Sequence, residues 1–435
     1  RRRSERLARR TQPPEVPLMN GQSASLRLVW IVPVVLVLVA GCTGIRPLPA
    51  PPAAEYETAV VPGYPDARVW GDGSAPNMPE RLTEFISQIR ARAAEEGSFP
   101  NGGRLDSLVL SGGGSDGPFG AGLLVGWTEA GTRPEFTFVT GISAGALIAP
   151  FAFLGPEFDD DLEQFSIENS TDTLITVTLL RGLLDGVGLV DNSKLRQKLR
   201  GLITREVVYR IAEEHDKGRR LMIGTTNLDA QRPVYWGISK IAAEGRNRPD
   251  ETADLITKIM LASASIPGAF PPQFFTVETP SGKFSEMHVD GGVTNQLFFL
   301  PAETPIARLP EDIDRFVRSG TIYIVRNTKI TPDFEPLEPG LVQISARSIS
   351  TMIKFGGRSD IKVLEEQARA VGFGVRVTAV PESFEAAETE LFDPVYMRSL
   401  FQVGREMASK PETWTVDIEP TVELTATGSG VAAVE

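Results

Sequence analysis

The chain has 435 residues, of which 41% are hydrophobic and 23% charged, so it can bury the core of one large domain or two smaller ones. Its net charge is −12, and because residues 1–41 hold seven arginines against two glutamates, the remainder carries −17. Such an acidic body argues against nucleic acid as a partner. The single cysteine, Cys42, excludes an intramolecular disulfide.

The amino-terminal residues resemble a bacterial export signal. The first methionine is Met19, so we expect translation to start there and residues 1–18 to be an upstream extension. The apolar run 28–39, about a dozen residues, has the length of a signal-peptide core and is short for a membrane span. Residues 39–42 read Val-Ala-Gly-Cys, which resembles a lipoprotein cleavage site.

This resemblance implies a lipoprotein signal peptide over residues 19–41 and acylation of Cys42 as the first mature residue. The expected location is the bacterial cell envelope, with the outer membrane favoured because a threonine follows the cysteine. A single-pass anchor with an incidental cysteine is the alternative. Residues 42–77 are rich in proline and alanine, and we expect a tether with little structure of its own.

Hydrophobic periodicity predicts alternating strands and helices over the rest of the chain. The predicted strands are 108–111, 136–140, 221–225, 234–238, a strand within 286–295 that breaks at two glycines, 321–325 and 374–380. The predicted helices are 79–97, 119–127, a helix after Ser143, 191–215, 253–261, 345–371 and 394–407. This alternation predicts an α/β fold, with a mainly parallel central sheet covered by helices on both faces.

Ser143 lies between the second predicted strand and a helix, within the sequence Gly141-Ile-Ser-Ala-Gly145. Small neighbours allow the tight strand-to-helix turn on which many hydrolases present a nucleophilic serine. The hydroxyl would then lie at a helix amino terminus, where partial positive charge favours a developing alkoxide. The pentapeptide alone is weak evidence in a chain with 41 glycines.

Three glycines, Gly112, Gly113 and Gly114, follow the first predicted strand. Such a loop can cradle a phosphate or present N–H groups to an oxyanion. A Walker-type loop would need a lysine after its last glycine, but Pro118 follows Gly117. A dinucleotide fingerprint would need an acidic residue about twenty positions on, where the chain instead runs into the serine turn. The oxyanion interpretation is therefore favoured.

A nucleophilic serine needs a base. The usual order of a hydrolase triad is serine, acid, histidine, and here only His288 with an earlier acid such as Asp229 could complete one. Asp290 ends a predicted strand before Gly291 and Gly292, where it could meet the serine from a neighbouring strand and act as the base directly. It could also be a turn residue that caps its own backbone.

Together, the segments Ser-Gly-Gly-Gly-Ser-Asp-Gly (111–117), Gly-Ile-Ser-Ala-Gly (141–145) and Asp-Gly-Gly (290–292) resemble the patatin-like phospholipase family. The segments 264–267 and 270–272 strengthen the resemblance, which covers roughly residues 105–330. It implies a three-layer α/β hydrolase domain, which we place at 78–410, followed by a C-terminal tail at 411–435.

The resemblance also implies a Ser–Asp dyad without histidine, metal or cofactor. Ser143 would be the nucleophile, Asp290 the base, and the N–H groups of Gly113 and Gly114 the oxyanion hole. Asp116 departs from the family, which often has a lysine or arginine there. This departure leaves neutral esters and short acyl chains open as substrates.

The sequence thus predicts a membrane-tethered serine acyl hydrolase acting on lipid acyl esters or phospholipids. The alternatives are an α/β-hydrolase esterase with a His288 triad, and a non-catalytic envelope lipoprotein that binds lipid or protein. His215 lies in an acidic segment that we expect to be a solvated helix end, and it receives no role. Four aromatic side chains could line an acyl channel, although burial in the core is the default for each: Trp127, Phe270, Phe274 and Phe275.

Overall fold

A computed structural model describes residues 46–73, 77–97, 103–177, 190–301, 320–332, 334 and 336–414. The predicted signal segment with Cys42, and the chain after residue 414, lie outside the described residues.

The strands are β1 (Arg68–Trp70), β2 (Ser107–Leu110), β3 (Phe138–Ile142), β4 (Thr176–Val177), β5 (Val190–Asp191), β6 (Arg220–Asn227), β7 (Arg232–Gly237), β8 (Gln273–Thr279), β9 (Gly282–Asp290), β10 (Thr321–Arg326) and β11 (Gly374–Ala379). The α-helices are α1 (Met78–Glu96), α2 (Pro118–Glu129), α3 (Ala144–Leu154), α4 (Asp159–Ile167), α5 (Thr171–Leu174), α6 (Ser193–Leu202), α7 (Arg205–Asp216), α8 (Ile238–Glu244), α9 (Pro249–Ser263), α10 (Leu341–Val371) and α11 (Pro394–Met407).

Nine of the strands within the described ranges form one mixed sheet, in the order β1-β7-β6-β3-β2-β10-β11, with β9 pairing to β6 and β8 to β9. The five strands β6, β3, β2, β10 and β11 are mutually parallel. The remaining four pair antiparallel. The prediction of a mainly parallel central sheet in an α/β fold is confirmed.

Two strands share one edge of β6. β7 pairs with residues 222–227 of β6 and so occupies one edge, while β3 pairs along the other edge over 220–224. β9 pairs with residues 225–227. Because a strand has only two edges and β7 occupies the first, β9 pairs along the same edge as β3, directly beyond the end of β3. β3 runs parallel to β6 and β9 antiparallel, so their carboxyl ends face each other.

Helices cover both faces of the sheet, as predicted. One face packs against α2, α3, α7 and α9 through a large apolar core that includes Phe119, Phe153 and Ile256. The other face packs against α10, whose Ile361 and Leu364 contact Ile322 and other apolar residues of β10 and β11. The predicted helix 394–407 matches α11 at both ends. The predicted helix 191–215 is two helices, since α6 ends at Leu202 and α7 begins at Arg205.

For residues 46–73 the prediction of a tether with little structure is wrong. β1 pairs with β7, and Val60 forms a bridge with Glu278 of β8. The guanidinium of Arg46 forms an ion pair with Asp229 at 2.6 Å. A proline-rich composition disfavours regular local structure. In this segment, strand pairing and an ion pair with distant residues hold the chain in an ordered conformation.

His215 is also placed differently from the prediction of a solvated helix end. It lies in the last turn of α7 with only 2% of its surface exposed. Its Nε2 contacts Glu84 Oε1 at 3.2 Å and its Nδ1 contacts the Ser239 hydroxyl at 3.3 Å. Packing of α1 and α8 over the end of α7 buries it, and burial lowers the pKa of the imidazole to about 4.

Candidate active site

The turn that carries Ser143 is strained. β3 ends directly before it and α3 begins directly after it, and Ser143 has φ 55° and ψ −123°. Residues other than glycine rarely adopt positive φ. The flanking glycines allow the turn, because a Cβ on Gly141 would lie 2.4 Å from the Gly145 carbonyl oxygen, and one on Gly145 would lie 2.4 Å from the Leu110 carbonyl oxygen.

Hydrogen bonds to β6 hold this turn in place. The Ser143 N–H donates to the Ser263 hydroxyl at 3.0 Å, and that hydroxyl donates to the Gly224 carbonyl at 2.6 Å. Ser263 is fully buried at the end of α9. The serine turn is therefore braced from the strand that lies beside β3.

Asp290 ends β9, as predicted, and its backbone and one carboxyl oxygen are fixed. Its N–H donates to the Ser265 carbonyl at 2.9 Å, and its Oδ1 accepts the Gly292 N–H at 2.7 Å. The carboxyl therefore caps the turn that follows, which was one of the two predicted roles. The other oxygen, Oδ2, is buried and accepts no hydrogen bond of standard geometry within the described residues.

The Asp290 carboxyl faces the Ser143 hydroxyl. Burial raises the pKa of the carboxyl to about 7, although hydrogen bonding to the Ser143 side chain and to the Gly292 N–H acts in the opposite direction. Ser143 and Asp290 are 7% and 5% exposed, so bulk water screens the pair weakly. A carboxyl with this pKa accepts a proton near neutral pH far more readily than an exposed aspartate.

The glycine loop lies against Ser143. A Cβ on Gly112 would lie 3.0 Å from the Ser143 Cβ, so a side chain there would force the loop or the serine to shift by a few tenths of an ångström. Backbone N–H groups of Gly113 and Gly114 donate to no acceptor in the described part of the chain. These two donors remain available at the amino-terminal side of α2.

Asn327, which sequence reasoning missed, fixes the loop. Its Nδ2 donates to the Ser111 carbonyl at 2.7 Å, its N–H donates to the Ser111 hydroxyl at 2.9 Å, and its Oδ1 accepts the Gly120 N–H at 3.0 Å. Asn327 directly follows β10, and the carboxyl ends of parallel strands meet at one edge of a sheet. Its position after a predicted strand was the signal that could have identified it.

Gln296 is a second missed residue at this site. Its Nε2 donates to the Gly292 carbonyl at 2.7 Å, on the turn after Asp290. Its backbone N–H donates to Asp360 Oδ2 of α10 at 2.6 Å. Gln296 thus links the Asp290 turn to α10, a connection that spans more than sixty residues and leaves no local pattern in the sequence.

An apolar cavity opens beside Ser143. Gly114 and Gly117 border it on the side of the glycine loop. Its apolar lining comes from α3, α4, α5, the turn after α9 and α11, and includes Leu147, Phe165, Leu174, Phe270, Phe392 and Met397. Its lining would offer an acyl chain almost exclusively apolar contacts.

Of the four aromatic residues considered for an acyl channel, only Phe270 lines this cavity. Trp127 packs in the core against Phe136, and Phe275 packs against Trp236. Phe274 lies under the Arg46 guanidinium, away from the site.

His288 does not contact Ser143. Its ring is fully buried, with Nε2 3.2 Å from Glu286 Oε2 and Nδ1 2.9 Å from the Thr225 hydroxyl. The Thr225 hydroxyl accepts the Trp236 N–H at 2.8 Å and can therefore donate to Nδ1, which leaves the Nε2 proton for the Glu286 carboxylate. Both ring nitrogens are thereby occupied.

The second candidate for a triad, Asp229, forms an ion pair with Arg46 and accepts the Met287 N–H. Asp116, at the carboxyl side of the glycine loop, accepts a hydrogen bond from the Tyr396 hydroxyl of α11 at 2.6 Å. The structure therefore brings Ser143, Asp290 and the glycine loop together, whereas the side chains of His288, Asp229 and Asp116 contact partners other than Ser143.

The described residues contain no group of three or more histidine, cysteine, aspartate or glutamate side chains placed to hold a metal ion. Among the helices of the described residues, none has the length and apolar character needed to cross a membrane.

Several solved structures are similar to this chain at low sequence identity. VipD from Legionella pneumophila has 13% identity and a TM-score of 0.32, with 71% of this chain and 66% of that chain covered. The type III effector ExoU from Pseudomonas aeruginosa has 14% identity and a TM-score of 0.28, with 72% and 53% covered. Human GIVD cytosolic phospholipase A2 has 10% identity and a TM-score of 0.29, with 75% and 53% covered.

No curated protein sequence matches the chain. A family model does match it: the model described as patatin-like phospholipase aligns with residues 108–303, from the strand before the glycine loop to beyond the Asp290 turn. Over residues 108–303 the chain is therefore similar to the patatin-like phospholipase family.

Proposed function

We propose that this protein is a serine acyl hydrolase that cleaves lipid acyl esters with a Ser143–Asp290 dyad. The match of residues 108–303 to the patatin-like phospholipase family model supports lipid hydrolysis in general. The main support for the dyad is that the Asp290 carboxyl lies against the hydroxyl of Ser143, which is on a strained turn. Burial raises the pKa of this carboxyl to about 7.

In the proposed first step, the Ser143 Oγ attacks the ester carbonyl carbon while its proton passes to Asp290. The carbonyl oxygen becomes an oxyanion, which the N–H groups of Gly113 and Gly114 stabilise. The intermediate collapses, the ester C–O bond breaks, and the leaving alcohol takes the proton from Asp290.

The second step returns the enzyme to its starting state. Water attacks the acyl-serine, and Asp290 accepts a proton from that water. Collapse of the second tetrahedral intermediate breaks the bond to the Ser143 Oγ, which recovers its proton, and releases the carboxylic acid. No residue other than the dyad needs to change its protonation state.

The apolar cavity beside Ser143 supports an acyl chain as the part of the substrate that is bound. We propose that the leaving group is a neutral alcohol or a phospholipid backbone, on the side of the glycine loop. Because Asp116 contributes a carboxylate there, we expect uncharged esters to be cleaved at least as well as anionic phospholipids.

The test is turnover of a nitrophenyl ester by the wild type, Ser143→Ala and Ser87→Ala. Ser87 is an exposed serine of α1 and controls for the substitution itself. We expect turnover to be lost in Ser143→Ala and unchanged in Ser87→Ala, with both variants folded by circular dichroism. Full turnover by folded Ser143→Ala would overturn the proposal, and no turnover by any folded protein would favour a non-catalytic lipid-binding or protein-binding role.

We also propose, from the sequence, that Cys42 is acylated and holds the protein at the bacterial envelope, with the outer membrane favoured. Mass spectrometry of the amino-terminal peptide should show a lipid on Cys42, and Cys42→Ser should lack it. An unmodified Cys42 in protein recovered from membranes would contradict this proposal.

A further inference from the structure

The helix α10 carries two apolar faces. Along its second half, Ile361, Leu364 and Ala368 are fully buried against apolar residues of β10 and β11. The other face is exposed in the described structure: Ile344, Met352 and Phe355 are 51%, 67% and 50% exposed. The spacing of eight and then three residues places these side chains on one side of the helix.

The exposed face lies mainly on a part of α10 that extends past the sheet. α10 connects two parallel strands, so it begins near their carboxyl ends and runs back. The Ile353 carbonyl accepts a hydrogen bond from Arg326, the last residue of β10, at 3.4 Å. The turns before Ile353, residues 341–352, therefore lie beyond the level at which β10 ends, and at 1.5 Å per residue they span about 18 Å.

Ser143 and the mouth of its cavity lie at this same edge of the sheet, because β3 is parallel to β10 and the serine follows its carboxyl end. The extended part of α10 and the candidate active site therefore project from one side of the molecule.

The charge of this segment is opposite to that of the whole chain. Between Glu338 and Asp360 the sequence contains three cationic residues, Arg347, Lys354 and Arg358, and no acidic residue, in a protein of net charge −12. Cationic side chains beside an exposed apolar stripe are typical of helices that lie in the interface of a membrane with anionic lipids.

We propose that the exposed face of α10 docks on an anionic lipid bilayer and presents the mouth of the Ser143 cavity to it. The apolar side chains Ile344, Met352 and Phe355 would enter the boundary between headgroups and acyl chains. Arg347 and Arg358 would lie at the level of the lipid phosphates, whereas Lys354 Nζ donates to the Thr331 carbonyl at 2.8 Å. This docking goes beyond the proposed hydrolysis and needs no catalytic step, so it can be tested separately.

The first test places a polarity-sensitive fluorophore on α10. Met352→Cys is made in the full chain carrying Cys42→Ser, labelled, and mixed with vesicles of phosphatidylglycerol and phosphatidylcholine. Insertion of the label should shift its emission to shorter wavelength and raise its intensity about twofold or more. The matched control is Tyr209→Cys on α7, on the opposite face of the sheet and 42% exposed, whose label should not respond.

A second test removes the apolar stripe. The triple variant Ile344→Ser, Met352→Ser and Phe355→Ser changes exposed side chains only, so we expect it to fold as the wild type does. Its co-sedimentation with the same vesicles should fall by about tenfold or more relative to wild type. Its turnover of a water-soluble nitrophenyl ester should be unchanged, which separates docking from catalysis.

An unchanged emission from Met352→Cys on adding vesicles would overturn the proposal, as would an equal response from Tyr209→Cys. Equal binding to pure phosphatidylcholine would overturn the role of the cationic residues. If the wild type is a dimer that the triple variant converts to a monomer, and the Met352→Cys label ignores vesicles, the surface joins two copies of the chain and the proposal is wrong.

Discussion

Ile142 and Asp290 pair with consecutive residues of one strand: Ile142 is opposite Gly224 and Asp290 is opposite Thr225. The strand that leads to Ser143 and the strand that ends in Asp290 therefore meet end to end along β6. This arrangement delivers a serine and a carboxylate to the same point from two directions. It also means that the geometry of the pair depends on how β9 is held.

The raised pKa of Asp290 has a consequence for stability. The pKa of this carboxyl is 3.8 when exposed and about 7 in the folded protein, so the folded state binds the proton more tightly. The folded protein therefore loses stability as pH rises from about 4 to about 7. Asp290→Asn removes this loss. We expect the variant to be more stable than wild type at pH 8, by up to about 4 kcal/mol.

Urea unfolding of both proteins at pH 5 and pH 8 measures this difference. The gain should be smaller at pH 5, where the wild-type carboxyl is mostly protonated. A variant that is less stable than wild type at pH 8 would show that the ionised carboxyl is stabilised by its surroundings.

His288 should matter for stability and little for turnover. Its neutral ring connects Thr225 to Glu286, and burial lowers the pKa of the imidazole. We expect His288→Ala to lower the free energy of unfolding by about 2 kcal/mol or more, because it leaves a cavity and unpaired partners. Ester turnover by the folded variant should stay within about tenfold of wild type, whereas loss of a triad histidine costs on the order of a thousandfold.

The amino-terminal segment holds β9 through a buried ion pair. Arg68 and Glu286 are 9% and 1% exposed at their side chains. Burial alone would raise the pKa of the Glu286 carboxyl, but the charge of Arg68 and hydrogen bonds from Arg68 and His288 lower it to about 2. Arg68→Met leaves this carboxylate buried without its cationic partner, and should cost about 3 kcal/mol or more of unfolding free energy.

The matched control for this ion pair is Arg205→Met, whose guanidinium is exposed and paired with an exposed Asp250. Exposed ion pairs contribute little to the free energy of unfolding, so the unfolding temperature of Arg205→Met should equal that of the wild type. Equal unfolding temperatures for Arg68→Met and Arg205→Met would show that residues 46–73 do not contribute to the fold through Arg68.

Gly112 should be essential for the site and not for the fold. A methyl group there would lie 3.0 Å from the Ser143 Cβ and 3.3 Å from Gln296 Oε1, and would displace the serine. We expect Gly112→Ala to reduce kcat by about tenfold or more, since small displacements of reacting groups are costly. Gly201→Ala, in α6 with nothing near its Cβ position, should leave kcat at the wild-type value. Equal kcat for both variants would count against the placement of the glycine loop.

Local patterns in the sequence were enough to predict the order of most elements. Helix α11 was predicted at both ends, because a proline begins it and its apolar periodicity persists to its last turn. The serine turn and the strand that ends in Asp290 were predicted because glycines interrupt apolar runs there. The strand β8 was missed, since its phenylalanines were considered as cavity lining and not as part of a hairpin with β9.

The features that depend on distant contacts could not be predicted in this way. The order of residues 46–73 comes from pairing with β7 and β8, and the burial of His215 from helices that pack over it. Asn327 and Gln296 act on the glycine loop and the Asp290 turn from far along the chain. Most importantly, β3 and β9 share an edge of β6 through register, which the sequence of either strand alone does not reveal.

The most direct test of the dyad is the rate at which a fluorophosphonate labels Ser143 as a function of pH. The wild type, Asp290→Asn and His288→Ala would be labelled, digested and mapped by mass spectrometry. We expect label on Ser143 in the wild type and His288→Ala, with a rate that rises with pH around a midpoint near 7. In Asp290→Asn the rate should be lower by about a hundredfold or more and independent of pH over this range. Label on a different serine, or wild-type labelling of Asp290→Asn, would contradict the dyad.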